Sequence, residues 1–201
     1  MQWRISQPIT LNEQARGLSL LRELLRYAVK GRGILTYGAG GVFGFVHTSA
    51  EQDTPDIQYH IAHASYSDPA TRKLDSEPGM TMACCQLRPD SQGSIHINSA
   101  DPFAAPAIRG NYLDVQSDVD TLLRGIKLGR RIIESMPMDP YRTAELNPGS
   151  ALQTDEQIEA WARTSGQTLY HICGTAKWAP PQIAWQLSTM NCACTVLADC
   201  A

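Results

Sequence analysis

The sequence predicts an α+β domain in which an antiparallel β-sheet is flanked by two or three helices. Apolar residues recur at helical spacing in three segments, and short β-rich runs separated by Pro, Gly, Asp and Ser lie between the first two. Strands that follow one another without a helix between each pair favour antiparallel pairing. The 201 residues are enough to bury a hydrophobic core.

The first predicted helix covers residues 11–30, LNEQARGLSLLRELLRYAVK. Asn12 is placed to cap its start and Gly31 to end it. Four apolar residues recur at helical spacing and predict one buried stripe on a surface helix: Leu18, Leu21, Leu25 and Val29.

A glycine-rich run, GAGGVFG at residues 38–44, follows this helix. A dinucleotide-binding fingerprint has GxGxxG after a strand and before a helix, with an acidic residue further on. Here the glycines precede residues 42–48, which have the composition of a strand. The run is therefore interpreted as a turn that leads into a strand.

Three β-rich runs then predict strands. They begin at Asp56 (DIQYHIAHAS), Met80 (MTMACCQLR) and Ser94 (SIHIN). The PDSQG segment between the last two predicts a hairpin turn, because Pro, Asp and Gly favour tight turns.

Alternation in the first run assigns its side chains to two faces of the sheet. One face is predicted to carry Ile57, Tyr59 and Ile61. Gln58 and His60 share the other face, so His60 and His63 point in opposite directions. Both histidines are interpreted as strand-surface residues, not as metal ligands.

A proline-broken connection, residues 101–118, leads to a second helix over residues 118–136. Its basic residues are expected on a solvated face near the helix C-terminus, where positive charge suits the helix dipole: Lys127, Arg130 and Arg131. A third helix is predicted over residues 154–163, since TDEQ at its start is a capping box.

Composition and charge exclude several classes of protein. Apolar residues make up 43% and charged residues 18%, as in a globular domain. The net charge is −3, and Lys and Arg are scattered, so no nucleic-acid-binding face is predicted. The sequence contains neither a membrane-length apolar run nor a secretory signal, so a cytoplasmic location without a transmembrane segment is expected.

The six cysteines do not form a recognisable disulfide or zinc pattern. Cys84 and Cys85 are adjacent, and Cys173 stands alone. A zinc site would draw on the cysteines of the last ten residues and one histidine: Cys192, Cys194, Cys200 and His171. Because tetrahedral sites usually pair two CxxC-type motifs, no metal site is predicted.

Four segments resemble the glucose-methanol-choline (GMC) oxidoreductases, which are FAD-dependent alcohol dehydrogenases and oxidases that include choline dehydrogenases. The segments are YAVKGRGILT, LRPDSQGSIHINSADPFAAPAIRGNYL, DVDTLLRGIKLGRRI and TLYHICGTAK. The resemblance is to the C-terminal part of that family and runs from about Ile9 to Lys177.

The resemblance implies the roles of several residues. In that family the N-terminal part binds FAD, and the C-terminal part contributes a sheet over the substrate cavity and a histidine beside the flavin. His171 matches this histidine through YHxxGT, which implies a base that removes the hydroxyl proton of a small alcohol, a task suited to imidazole. Arg88, Gln86 and Tyr59 lie on strands that face the substrate cavity in relatives and are candidate substrate-binding residues, although the sequence does not say which face each occupies.

The resemblance stops at Lys177. Relatives continue with Met-Gly and a pattern D-x-x-A-V-V-D-x-x-L-R-V-H-G. The possible codons of residues 177–201 can be written out from the amino-acid sequence and read in a frame that starts at the last base of the Lys177 codon. In this shifted frame the genetic code permits Met-Gly, and it allows only alanine and only leucine at positions where that pattern has these residues. We therefore hypothesise that residues 1–177 form the GMC C-terminal substrate-binding domain and that a one-nucleotide deletion made residues 178–201 an out-of-frame, non-native tail.

Three functions are compatible with these observations. The chain contains no GxGxxG after a first strand, so the favoured interpretation is a fragment of an alcohol-oxidising flavoenzyme that neither binds FAD nor turns over by itself. A second interpretation is a split subunit that pairs with a separate FAD-binding chain. A third is a stand-alone module that binds a small ligand.

Overall fold

The structure, a computed structural model, describes residues 1–38, 40–68, 71–172 and 174. The chain divides into two compact units, residues 1–164 and 165–201, and each unit is described by itself. The predicted boundary at Lys177 and the predicted tail, residues 178–201, lie outside the described residues. The division into domains therefore stays a prediction.

The elements of the described residues follow one another in a simple order. The strands are β1 (Gln2–Ile5), β2 (Val42–Val46), β3 (Ile57–Ala62), β4 (Tyr66–Asp68), β5 (Lys73–Leu74), β6 (Gly79–Gln86), β7 (Ser94–His96), β8 (Ala107–Arg109) and β9 (Arg142–Asn147). The α-helices are α1 (Leu11–Gln14), α2 (Gly17–Lys30), α3 (Gln116–Ile133) and α4 (Asp155–Ser165). Single-turn 3₁₀ helices cover Ile34–Thr36 and Met136–Met138.

The main sheet has five strands in the order β2-β3-β6-β1-β9. All of its neighbouring strands pair antiparallel. In the centre Tyr59 pairs with Cys84 and Ile61 pairs with Met82. The predicted α+β class, with an antiparallel sheet beside a few helices, is confirmed.

The core consists of two clusters that share helix α3. The first lies between the sheet and α3 and contains Trp3, Ile5, Ile57, Tyr59, Met80, Met82 and Ile133. The second joins α3 to α4 and contains Val119, Leu123, Ile126, Ile158 and Ala162. Helix α3 is thus buried on two sides, which holds the sheet and α4 in one unit.

A glycine lets α3 approach the sheet closely. A Cβ atom added to Gly125 would lie 2.7 Å from Sγ of Cys84 and 3.0 Å from Cδ1 of Ile57. The hydroxyl of Tyr59 donates a hydrogen bond to the carbonyl oxygen of Gly125 over 2.6 Å. Ile57, Tyr59 and Cys84 therefore all point from the sheet towards α3. Ile57 and Tyr59 lie on one face, as the alternation of side chains along the strand predicts.

The strand pairing differs from the prediction at β7. The sequence predicted a hairpin between the runs at Met80 and Ser94, but β7 pairs with β8 in a separate two-stranded sheet. Strand β8 lies inside the segment that was expected to be only a proline-broken connection. Strands β1 and β9 were not predicted, because neither has a period-two pattern long enough to stand out.

The first helix also differs from the prediction. It is broken into α1 and α2 at Gly17, whose φ of +50° lies in the left-handed region. Thr10, not Asn12, occupies the N-cap of α1, and Asn12 is fully buried. The amide of Asn12 donates to Ser65 O over 2.8 Å and accepts from Ser65 N over 3.0 Å. Asn12 therefore joins α1 to the chain after β3 instead of capping the helix.

The predicted buried stripe of the first helix is wrong as well. Its members are exposed by 54% to 86%: Leu18, Leu21, Leu25 and Val29. The predicted solvated face of α3 is wrong at one position, since Arg130 is 7% exposed. In the part of the chain that the structure describes, no helix is both long and apolar enough to cross a membrane.

Candidate functional site

The face of the main sheet opposite α3 carries a different set of side chains. Strand alternation places Gln58 and His60 on this face, next to Cys85 and Ala83 of β6 and to Phe45 and Phe43 of β2. The two phenylalanines are exposed by 52% and 59%. This surface, named the Phe43 face, combines an aromatic edge with polar side chains at its centre.

His60 is the polar side chain of the Phe43 face with the most unusual environment. Its ring stands edge-on to Phe43, with ring centroids 5.0 Å apart and an interplanar angle of 83°. Its Nε2 atom is buried and has no hydrogen-bond partner in the described structure. Buried polar atoms without a partner are rare, and a catalytic role is one of the explanations for them. Alternation assigned His60 to this face, but only the folded sheet shows that its nitrogen is unsatisfied.

A polar cavity of about 340 Å³ lies on the other side of the sheet, where β6 ends and α3 begins. Its lining is almost entirely polar or charged: Gln52, Asp56, Gln86, Arg88, Asp90, Ser117, Asp118, Asp120, Thr121 and Arg124. Two of the three predicted substrate-binding residues, Gln86 and Arg88, are brought together here. Arg88 is exposed, whereas the amide of Gln86 donates to Oδ1 of Asp118 over 2.7 Å.

Asp118 organises the wall of this cavity. It is 1% exposed, and it accepts hydrogen bonds from the backbone N–H groups of Asp90 and Ser91, each over 2.8 Å, besides the bond from Gln86. Burial would raise the pKa of Asp118, but the hydrogen bonds from Ser91, Asp90 and Gln86 outweigh it and lower the pKa below its ordinary value. A carboxylate at the first turn of α3 is also favoured by the helix dipole.

Tyr59, the third predicted substrate-binding residue, lies in the core. It is 2% exposed and packs against α3. Burial raises the pKa of its hydroxyl well above the ordinary value. Because this hydroxyl already donates to the carbonyl oxygen of Gly125, its described contacts hold α3 against the sheet, and a contact with substrate stays a prediction.

His171, the predicted base, belongs to the second unit and is exposed there, as are its neighbours Tyr170 and Ile172. Tyr170 has a φ of +61°, a conformation that is uncommon for a residue other than glycine. The role of His171 as a base stays a prediction. The rejected zinc ligands Cys192, Cys194 and Cys200 lie outside the described residues, and the described residues contain no cluster of three His, Cys, Asp or Glu able to hold a metal ion.

The glycines that precede β2 do not fit the phosphates of a dinucleotide. Such a site needs a glycine-rich loop that opens a helix, so that backbone N–H groups at the helix N-terminus face the phosphates. Gly41 instead leads directly into β2, and the amide N–H of Gly41 donates to Ile61 O over 2.9 Å in the sheet. The described glycines of this run therefore lead into a strand and not into a helix, as predicted.

Comparison with known proteins gives relatives that are oxidoreductases. A family model described as GMC oxidoreductase matches residues 89–183. The chain is 36% identical over 154 residues to alcohol dehydrogenase (acceptor) of Pseudomonas putida, covering 77% of this chain and 28% of that protein. It is 29% identical over 187 residues to oxygen-dependent choline dehydrogenase of Proteus mirabilis (strain HI4320), covering 92% and 33% respectively.

Solved structures of two oxidases have a similar fold. The chain superposes on a crystal structure of formate oxidase with a TM-score of 0.79 and 17% identity, over 94% of this chain and 37% of that one. For pyridoxine 4-oxidase from Mesorbium loti the TM-score is 0.62 with 19% identity, over 74% and 29%. At these identities the likeness concerns the fold.

The antiparallel sheet backed by helices is thus the fold of a part of these oxidoreductases. The chain belongs to the GMC oxidoreductase family, as its sequence motifs predicted. Its relatives in that family are FAD-dependent flavoproteins. The chain spans about a third or less of the length of the curated relatives it matches.

Proposed function

We propose that this chain is the substrate-side part of an FAD-dependent oxidoreductase that acts on the CH–OH group of a small alcohol. The observation that carries the proposal is the 36% identity over 154 residues to the Pseudomonas putida alcohol dehydrogenase. The choline dehydrogenase relatives support the same reaction class. The sheet and α3 supply a rigid support, on which substrate-binding side chains can be held in place.

In this proposal His171 is the catalytic base. An alcohol loses its hydroxyl proton as the carbon is oxidised, and an imidazole side chain is suited to accept that proton at neutral pH. His171 comes from the YHxxGT segment in the second unit, while the Phe43 face and the cavity at Gln86 and Arg88 belong to the first.

The isolated chain is proposed to be inactive. FAD supplies the hydride acceptor when it is bound, but the glycines before β2 do not fit its phosphates, and the sequence has no GxGxxG after a first strand. We therefore expect the purified chain to be colourless and unable to reduce a dye in the presence of an alcohol. A flavin absorption band in the purified chain would contradict this expectation.

A chimera tests the reaction and the base together. Residues 1–177 of this chain replace the matching part of the Pseudomonas putida alcohol dehydrogenase, which keeps the rest of its own sequence. We expect primary alcohols or choline to bleach the flavin of this chimera in the absence of oxygen. The change His171→Asn should lower the rate constant of flavin reduction by roughly 10²- to 10⁴-fold, because a general base contributes about that factor.

A matched control separates chemistry from folding. His96 is exposed on β7, so His96→Asn should leave the rate unchanged. If His171→Asn reduces the flavin as fast as the parent chimera, the assignment of the base is wrong. If the parent chimera binds flavin but no tested alcohol bleaches it, the proposed reaction is wrong.

A second candidate, the split subunit, is favoured by one observation. Helix α2 presents exposed leucines to solvent, and a contiguous apolar surface of this kind marks an interaction site. A separate polypeptide that supplies the FAD-binding part would then complete the enzyme in trans.

A further inference from the structure

Five apolar side chains of α2 point away from the rest of the first unit. They form the α2 apolar face, with exposed fractions of 45% to 86%: Leu18, Leu21, Leu24, Leu25 and Val29. An isolated exposed leucine is ordinary, but a stripe of them along one helix is not.

The opposite side of α2 fastens the helix to the first unit. Glu23 is 2% exposed, and its carboxylate accepts a hydrogen bond from the backbone N–H of Ile34 over 3.3 Å. Residues two positions apart on an α-helix point to nearly opposite sides. Leu21 and Leu25 therefore face away from the side that Glu23 buries, and the helix has one inner and one outer side.

Basic residues border the α2 apolar face. The side chains of Arg22 and Arg26 are exposed by 76% and 53%, and their guanidinium groups lie 3.9 Å and 3.5 Å from Oε1 of Glu23. Glu23 is buried and is the helix's one acidic residue, so the exposed rim of this face is cationic. A partner that covers the face is expected to bring acidic side chains to that rim.

The relatives show how much polypeptide is available to cover this face. The chain spans 28% of the Pseudomonas putida alcohol dehydrogenase, 33% of the Proteus mirabilis choline dehydrogenase and 37% of the formate oxidase chain. Roughly two-thirds of each of those proteins is therefore not matched by this chain. A portion of that size can bury an apolar stripe along a helix of 14 residues.

We propose that the α2 apolar face docks against the portion of a GMC oxidoreductase that this chain does not match, with Arg22 and Arg26 at a charged rim. This inference rests on the proposed function, because it takes the same family as the source of the partner. It goes further in naming the portion that covers the α2 apolar face and the charged rim of the contact, and it explains why an amphipathic helix has its apolar side turned outwards.

The test uses the full chain and the unmatched portion of the Pseudomonas putida alcohol dehydrogenase, produced as a separate polypeptide. Sedimentation velocity is expected to show a one-to-one complex. The double change Leu21→Glu and Leu25→Glu should weaken it by at least about 30-fold, the effect of losing a central apolar anchor. Met136→Glu is the matched control, since Met136 is 82% exposed outside α2, and it should leave the affinity unchanged.

The remaining outcomes each decide a point. Because Leu21 and Leu25 are exposed, the double variant alone should keep the melting temperature of the parent chain, and a lower one would show that these leucines pack within the chain. The proposal would be overturned if no complex forms or if the double variant binds with the affinity of the parent chain. It would also be overturned if the chain forms a dimer that the double variant abolishes, or if the chain binds to phosphatidylglycerol vesicles. The double variant could weaken the complex while the complex, loaded with FAD, fails to oxidise alcohols. This result would contradict the proposed function but not the proposed docking surface.

Discussion

Asp118 shows how one carboxylate shapes a site. Its oxygens accept three described hydrogen bonds from Gln86, Asp90 and Ser91, so it joins the end of β6, the loop that follows and the start of α3. The carboxylate thereby gives the two loop N–H groups a hydrogen-bond partner. The carboxylate therefore positions Gln86 at the cavity as well as stabilising the fold.

Asp118→Asn is expected to lower the free energy of unfolding by about 2 kcal/mol, because a neutral amide turns an N–H₂ group towards at least one of the donors. Urea unfolding at pH 7 measures this loss. Asp120→Asn is the control, since Asp120 is exposed and accepts a hydrogen bond from Gln116. An equal loss in both variants would contradict the role given to Asp118.

The same residue predicts a dependence on pH. The pKa of Asp118 is lowered in the folded state, so its contribution to stability is present above the ordinary value of roughly 3.9 and is lost as the pH falls below it towards the folded-state pKa. We expect Asp118→Asn to flatten the loss of stability below about pH 4. Unfolding curves at pH 7, 4, 3 and 2.5 show whether the slope changes.

At the scale of elements, a buried ion pair fastens α3 to β9. Nε of Arg130 lies 3.0 Å from Oε1 of Glu145, and both side chains are at most 9% exposed. The other guanidinium nitrogens donate to the carbonyl oxygens of Leu152 and Gly149 over 2.8 Å and 3.3 Å. Arg130 thus fixes the last strand of the sheet and the loop before α4 to one helix.

Arg130→Met is expected to lower the free energy of unfolding by roughly 3 kcal/mol, because it leaves the carboxylate of Glu145 buried without its partner. Arg131→Met, one residue further on the same helix and exposed, should change it by less than about 0.5 kcal/mol. Denaturant unfolding of the two variants compares them directly. Similar losses would show that the ion pair does not carry the contact between α3 and β9.

At the scale of the whole molecule, the first unit has the fold of a part of longer proteins. It has a core, a sheet closed on one side by α3, and an apolar helix face that its own residues do not cover. We propose that the native sequence of this domain ends at Lys177, six residues before the end of the match to the family model at residue 183. Residues 178–201 would then be a consequence of a shifted reading frame and not a further functional segment.

The nucleotide sequence of the gene tests this proposal directly. Read from the last base of the Lys177 codon, the nucleotide sequence is expected to encode Met-Gly or Val-Gly followed by a stretch that resembles D-x-x-A-V-V-D-x-x-L-R-V-H-G. Sequencing both strands of this region gives the answer. A shifted frame that does not continue the family pattern would contradict the proposed tail.

The sequence by itself determined the fold class, the family and most of the elements. Helical and strand periodicity and the YHxxGT segment are patterns of residues that lie close together in the sequence, so they can be recognised without the structure. It could not determine which partner each element meets. The pattern of Leu18, Leu21, Leu25 and Val29 identifies an apolar stripe, but not the surface that covers it. Only the tertiary structure decided that β7 pairs with β8, that Arg130 is buried beside Glu145, and that the stripe faces outwards, since these depend on contacts between residues far apart in sequence.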